Sequence, residues 1–243
     1  MIESYGMSDI GLVRAHNEDS FVLDKEHGFF AVADGMGGAQ AGEIASQIAI
    51  DTLVAEVRRD GEDASLDTLM RGVELANKNI RAAAQKNPAY DGMGTTIVAA
   101  LSRPPKLAIA SVGDSRGYLC RDGQLSCVTS DDSWINDVGR RLGLPEEQLR
   151  VHPYRHVLTR AAGAEEEITV EAQEIDFSGG DMLLISSDGL HNVASEEEML
   201  EALSRGGPLP ACCRALIDLA RANGAPDNIT ALLLRSVPDS DSG

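Results

Sequence analysis

Residues 29–46 read FFAVADGMGGAQAGEIAS, and this stretch limits what the rest of the chain can be. The apolar run from Phe29 to Ala33 suits a buried strand. It stops at Asp34, and Gly35, Gly37 and Gly38 follow within four residues. A helical pattern then begins, with Ile44, Ile48, Leu53 and Val57 falling roughly on one face. The expectation is a strand, a flexible turn and a helix, with a carboxylate at the mouth of the turn. Glycine lets backbone approach a bound group closely. A carboxylate with a free backbone carbonyl beside it is half of an oxygen-ligand metal site. An ordinary strand-turn-helix with a polar turn fits the same letters, because short motifs recur by chance.

Composition enters where it excludes. The chain has 243 residues and 43% hydrophobic content, enough for a large core in one domain. Lys and Arg number 21 against 39 Asp and Glu, for a formal net charge of -18. Phosphate backbones call for basic patches, so nucleic acid is not an expected partner. The four cysteines (Cys120, Cys127, Cys212 and Cys213) form no CxxC pair, and a reduced, cytoplasmic setting is the simplest reading. The first residues, MIESYGMSDIG, lack the basic and apolar regions of a signal peptide. No apolar run is long enough for a membrane span. Residues 1–237 are expected to form a single domain, and 238–243 a short disordered tail.

In chain order, strands are expected at 2–7 and 21–24, then helices at 42–59 and 66–85, the second ended by Asn87 and Pro88. A dense β region follows at 95–101, 107–112, 115–120 and near Leu125, with Asp122-Gly123 as a hairpin turn. Residues 130–156 show little strand pattern and hold the one tryptophan, Trp134. Such an insertion is often a lid or recognition element. Strands return at 168–175 and 182–186, then helices near 196–203 and 210–223, closed by Gly224, and a last strand at 229–234. This is not the alternating rhythm of a doubly wound sheet. It suits an α+β chain: a four-layer αββα sandwich of two mostly antiparallel sheets flanked by helix pairs.

Chemistry concentrates in Arg14, Glu18, Asp19, Asp34, Asp114, Asp188 and Asp227. Asp34, Asp188 and Asp227 sit beside strand ends. Carboxylate sites suit Mg²⁺ or Mn²⁺, whereas zinc leans on His and Cys. His152 and His156 are four apart, but Pro153 between them argues against a helical ligand pair, and packing roles fit them better. Two metals sharing a carboxylate can acidify a water, and an arginine can grip phosphoryl oxygens in a fork. Competing chemistries fail on the letters. The residues six after each cysteine are Ser126, Ser133, Asp218 and Leu219, so no cysteine phosphatase arginine is in place. The chain has no P-loop, no GxGxxG, no GxSxG elbow and no HRD-type kinase loop.

The chain resembles the metal-dependent protein Ser/Thr phosphatases of type 2C, the PPM family, in its bacterial branch. The resemblance rests on RAHNED at 14–19, VADGMGG at 32–38 with Gly42 and Glu43, GTT at 94–96, VGDSR at 112–116, LTR at 158–160, SDGL at 187–190 and DNIT at 227–230. These pieces run in order along almost the whole chain. The resemblance implies the same sandwich fold and roles by position. Asp34 would bridge two Mn²⁺ or Mg²⁺ ions, with the Gly35 carbonyl beside it, and Asp188 and Asp227 would complete the first site. Glu18 would act on the second ion through water, Asp19 would support bound water, Arg14 would bind the substrate phosphate, and Asp114 would belong to a third, weaker site. Residues 130–156 would be a flap beside the active site.

Three positions depart from the family pattern. Position 36 is Met where eukaryotic relatives carry a histidine proposed as general acid. Position 192 is Asn where many relatives have an aspartate that helps hold the third metal, which leaves a third ion undecided. Position 132 is Asp where the flap usually begins Asp-His-Ser, and altered docking of the flap is one outcome. The implied function is hydrolysis of phosphoserine and phosphothreonine in proteins, opposing a cognate Ser/Thr kinase, by a monomeric chain. Two alternatives stay open: a phosphatase-like binding protein without turnover, and a hydrolase of small phosphate esters.

Overall fold

Alternation along the strands builds the layers. In the computed structural model, which describes residues 1–37, 41–150, 152–154 and 157–237, every strand pairing is antiparallel. The elements in order are β1 (Ile2–Asp9), β2 (Asp19–Asp24), β3 (Phe29–Met36), α1 (Ala41–Asp60), α2 (Leu66–Lys86), β4 (Gly94–Thr95), β5 (Ile97–Arg103), β6 (Lys106–Val112), β7 (Arg116–Arg121), β8 (Gln124–Cys127), α3 (Glu146–Arg150), β9 (Glu171–Asp176), β10 (Met182–Ser186), α4 (Asp188–His191), α5 (Glu196–Ser204), α6 (Leu209–Ala222) and β11 (Ile229–Ser236). One sheet has the order β1-β11-β10-β7-β8, and the other β2-β3-β5-β6-β9, with β4 paired to β3.

Successive side chains of a strand face opposite ways. On β3, Phe30 and Val32 therefore meet Leu183, Ile185, Leu232 and Leu234 between the two sheets. Phe29, Ala31 and Ala33 turn to the other face and pack under Leu53 of α1 and Leu69, Val73 and Ile80 of α2. On the opposite side of the molecule Leu184, Ala231 and Leu233 lie under Cys213, Leu216 and Ile217 of α6. Both faces of the central strands are covered, which explains their continuous apolar runs. The αββα sandwich expected from the sequence is what the chain forms. Among the described residues no helix is long and apolar enough to cross a membrane.

Several boundaries differ from the expectation. Strand β3 does not stop at Asp34 but runs to Met36, because Gly35 and Met36 find ladder partners in Thr95 and Gly94. The glycine at 35 is therefore part of a strand rather than a flexible turn. The strand expected at 95–101 divides at Thr96, whose N–H turns to the Asp34 carbonyl (2.9 Å). The strand expected from residue 168 begins at Glu171. Just before it, Asn77 of α2 donates to the carbonyls of Glu165 and Glu166 (3.0 and 3.3 Å), tying that segment to the helix. The hairpin at Asp122-Gly123 holds, with φ of 52° and 73°. Strand β1 pairs β11 from Ile2↔Ser236 at one end to Asp9↔Ile229 at the other. The expected tail at 238–243, together with Gly38 and His156, lies outside the described residues.

Candidate active site

The acids converge at the starts of β2 and β11, near the end of β3, just after β10, and where β6 turns into β7. Asp19 and Asp34 are directly opposite each other in the β2–β3 ladder. Thr95 and Thr96 lock the Asp34 backbone: Thr95 Oγ1 donates to its carbonyl (2.8 Å), and its N–H donates to Thr96 Oγ1 (3.1 Å). Asp188 opens the short helix α4 directly after β10. Asp227 precedes β11, and Asp114 lies on the turn between β6 and β7.

Close backbone approach brings these pieces together. A Cβ on Gly35 would lie 2.1 Å from the Gly42 carbonyl oxygen, and one on Gly42 would lie 2.8 Å from Glu18 Cδ. So β3 and the start of α1 touch through two glycines, and Glu18 lies against that contact. Asn228 organises the loop before Glu18. Its Nδ2 donates to the carbonyls of Ile10 and His16 (3.0 and 2.9 Å), and its Oδ1 accepts from the Glu18 N–H (2.8 Å). Ser187 and Thr230 hold Asp19 by donating to its Oδ2 (2.8 and 2.6 Å). Sequence reasoning assigned no role to Asn228, Ser187 or Thr230 individually. Two of them lie inside the DNIT piece and one inside SDGL, which was the only available signal.

Charge in the site is strongly unbalanced. Burial raises the Asp34 carboxyl well above the usual range, and the charges of Asp19, Asp188, Asp114 and Asp227 raise it further. Asp188 is pushed up to about 7 by burial and then by Asp114, Asp227 and Asp19. Asp19 rises to about 6 through burial, against the opposing hydrogen bonds from Thr230 and Ser187. Asp114 also rises to about 6, through burial and then Asp131. Burial raises Glu18 as well. Asp34 and Asp188 each feel the charges of Asp19, Asp114 and Asp227, so like charges crowd one site. Arg14 reaches this cluster, its Nη2 donating to Asp227 Oδ2 at 2.6 Å.

The donor set fits hard divalent cations. Asp19 Oδ1 and Asp188 Oδ1 are buried without a hydrogen-bond partner, which is costly for an ionised oxygen. The donors are oxygens, which suits Mg²⁺ or Mn²⁺ rather than zinc. Two of the described histidines have other partners: His152 stacks on Trp134 with ring centroids 4.1 Å apart, and His191 Nδ1 faces Ser186 Oγ at 3.1 Å. Among the described residues no group of three or more His, Cys, Asp or Glu side chains is already arranged to hold a metal ion. Asp227 is turned to Arg14, and Asp188 Oδ2 accepts from Asn192 Nδ2 (2.9 Å). Carboxylates reorient by side-chain rotation, whereas the backbone seats that bring them together are fixed. The departures noted in the sequence acquire places. Asn192 holds Asp188 rather than adding a charge. Met36 lies against Gly94 and has no proton to give.

Comparison with known proteins agrees with this geometry. The sequence profile of the family described as protein phosphatase 2C matches residues 13–233. The chain is 39% identical over 240 residues to the serine/threonine protein phosphatase PstP of Mycobacterium tuberculosis, covering 97% of this chain and 45% of that protein. It therefore spans about half the length of that relative. It is 35% identical over 237 residues to the serine/threonine phosphatase stp of Listeria innocua, with 93% of each chain covered. Among solved structures, the catalytic domain of PstP in complex with two manganese ions superposes with a TM-score of 0.85 at 34% identity, over 97% of this chain and 98% of that one. With a sandwich that superposes on solved relatives and a family profile matched over residues 13–233, the chain belongs to the protein phosphatase 2C family.

Proposed function

We propose that this chain is a Mn²⁺- or Mg²⁺-dependent protein phosphatase that hydrolyses phosphoserine and phosphothreonine. One observation carries the reading: Asp19, Asp34, Asp114, Asp188 and Asp227 meet beside Arg14, with buried carboxylate oxygens left unpartnered. Support comes from the relatives, named serine/threonine phosphatases, and from the PstP catalytic domain solved with two manganese ions. In this reading Asp34, Asp188, Asp227 and the Gly35 carbonyl would hold two ions, Glu18 and Asp19 would act through water, and Asp114 would serve a third ion only where one binds. Bound divalent ions supply positive charge against the phosphoryl group and acidify a water for attack.

The chain's own groups do the rest. Arg14 is half exposed and paired on one side only, so its guanidinium fork can take two phosphoryl oxygens. The hydrogen bond to Asp227, against burial, keeps it charged at every relevant pH. Ser187 and Thr230 fix Asp19 Oδ2 and leave Oδ1 without a hydrogen-bond partner. No cysteine nucleophile is needed, and Cys212 and Cys213 are buried within α6. Residues 130–156 act as a flap beside the site. Substrates are phosphoproteins made by a Ser/Thr kinase, and the enzyme works as a cytoplasmic monomer with its four thiols free.

The test is phosphate release from a phosphothreonine peptide in EDTA and after Mn²⁺ or Mg²⁺ is restored. Activity should appear only with metal, survive cysteine alkylation and be abolished by Asp34→Asn. A folded, metal-bound protein silent on phosphopeptides and small esters alike would overturn the reading in favour of a binding protein.

A further inference from the structure

We infer that Asp132 and Arg160 form a buried latch that seats the flap on the turn carrying Asp114, making Asp132 a positioning residue for phosphoprotein substrates. This rests on the phosphatase reading above and goes beyond it. Asp132 is 1% exposed. A buried carboxylate is expensive unless paired and hydrogen-bonded, and apolar residues often serve the fold as well. Here the bonds of Asp132 reach two other segments, the turn at Gly113 and the neck at Thr159 and Arg160, and its Oδ1 has only the ion pair to Arg160, without a hydrogen bond. Gly113 N–H donates to Asp132 Oδ2 and Asp132 N–H donates back to the Gly113 carbonyl, both at 2.9 Å. Thr159 N–H donates to the Asp132 carbonyl at 2.9 Å, and Arg160 forms an ion pair with its carboxylate. The two necks of the flap close beside it, through the Ser133↔Leu158 bridge and the Trp134 N–H to Val157 carbonyl bond (2.9 Å).

The far side of the latch leads to Asp34. Gly113 has a φ of +94°, and a Cβ there would lie 2.7 Å from Thr96 Cγ2, so the turn sits directly on Thr96. Ser115 Oγ and Thr96 Oγ1 are 2.7 Å apart, and Thr96 Oγ1 accepts from the Asp34 N–H. Flap base, Asp114 turn and Asp34 are thus joined by contiguous hydrogen bonds. On the outer flap Trp134, His152 and Tyr154 pack as one aromatic group whose position depends on the necks. A small ester needs only the acids and Arg14, whereas a phosphoprotein also touches the flap. Breaking the latch must therefore separate the two substrates.

The experiment uses Asp132→Asn, which keeps an acceptor for Gly113 and removes the charge. Trp134 is the chain's single tryptophan, so acrylamide quenching of intrinsic fluorescence reports the flap without any activity measurement. Quenching should rise in Asp132→Asn and in Arg160→Met, and return toward wild type in Arg160→Lys. KM for a phosphothreonine protein should rise roughly tenfold with kcat within about twofold, while kcat/KM on an aryl phosphate stays within about twofold. The double variant should be no worse than either single one. Unchanged quenching in both Asp132→Asn and Arg160→Met overturns the latch, and the arginine variants decide alone if Asp132→Asn fails to fold. Equal losses on protein and aryl phosphate overturn the positioning role. Wild type that releases no phosphate from any ester would instead sink the phosphatase reading, leaving quenching to decide the latch.

Discussion

Asp188 shows what the site costs before a cation arrives. Its carboxyl is pushed up to about 7, so between about pH 4 and pH 7 the folded chain holds a proton that the unfolded chain has lost. That contribution to stability is present below the ordinary carboxylate range and disappears as pH rises through 7. The neighbouring acids, Asp19 and Asp114, act in the same direction. Metal-stripped protein should therefore melt at a lower temperature at pH 8 than at pH 5, and Asp188→Asn should melt higher than wild type at pH 8 while losing hydrolysis. Thermal melts in chelator check both, and a lower melting temperature for Asp188→Asn would contradict them. Arg14 poses the opposite case. It is 49% exposed and its ion pair lies at the surface, so Arg14→Ala should barely move the melting temperature in Mn²⁺. Loss of a charged group aimed at the phosphoryl oxygens should lower kcat/KM on the order of 100-fold.

The elements were largely legible because burial leaves periodic marks. Apolar runs located β3, β10 and β11, and helical spacing located α1, α2 and α6. What could not be read were contacts between distant letters. Asn228 and Glu18 are 210 positions apart, and nothing local to either announces their bond. Gly35 is instructive in the same way. Its letter suggested a loose turn, yet its place is a strand pressed against α1, where only a missing side chain fits. Gly35→Ala would drive β3 and α1 apart at the contact that also seats Glu18. A loss of about 2 kcal/mol or more is expected in urea unfolding, with divalent-ion affinity reduced in calorimetry. Asp132 was visible as a departure, but its meaning waited on Gly113 and Arg160, each far away in the sequence.

For the whole molecule, a net charge of -18 sets how substrates arrive. Phosphopeptides flanked by Lys or Arg should show lower KM than Glu-flanked ones at low ionic strength, and the gap should narrow in about 0.5 M salt, where screening lengths fall to a few ångströms. A gap that persists in salt would point to direct contacts rather than the overall field. The register of the outer strands has a further consequence. Asp9↔Ile229 closes the β1–β11 pair at the acidic end, while Ile2↔Ser236 closes it at the other. Both ends of the fold therefore emerge side by side, on the pole opposite the carboxylates. A tether joined to either terminus would hold the catalytic mouth outward, free to sweep the space around its anchor point.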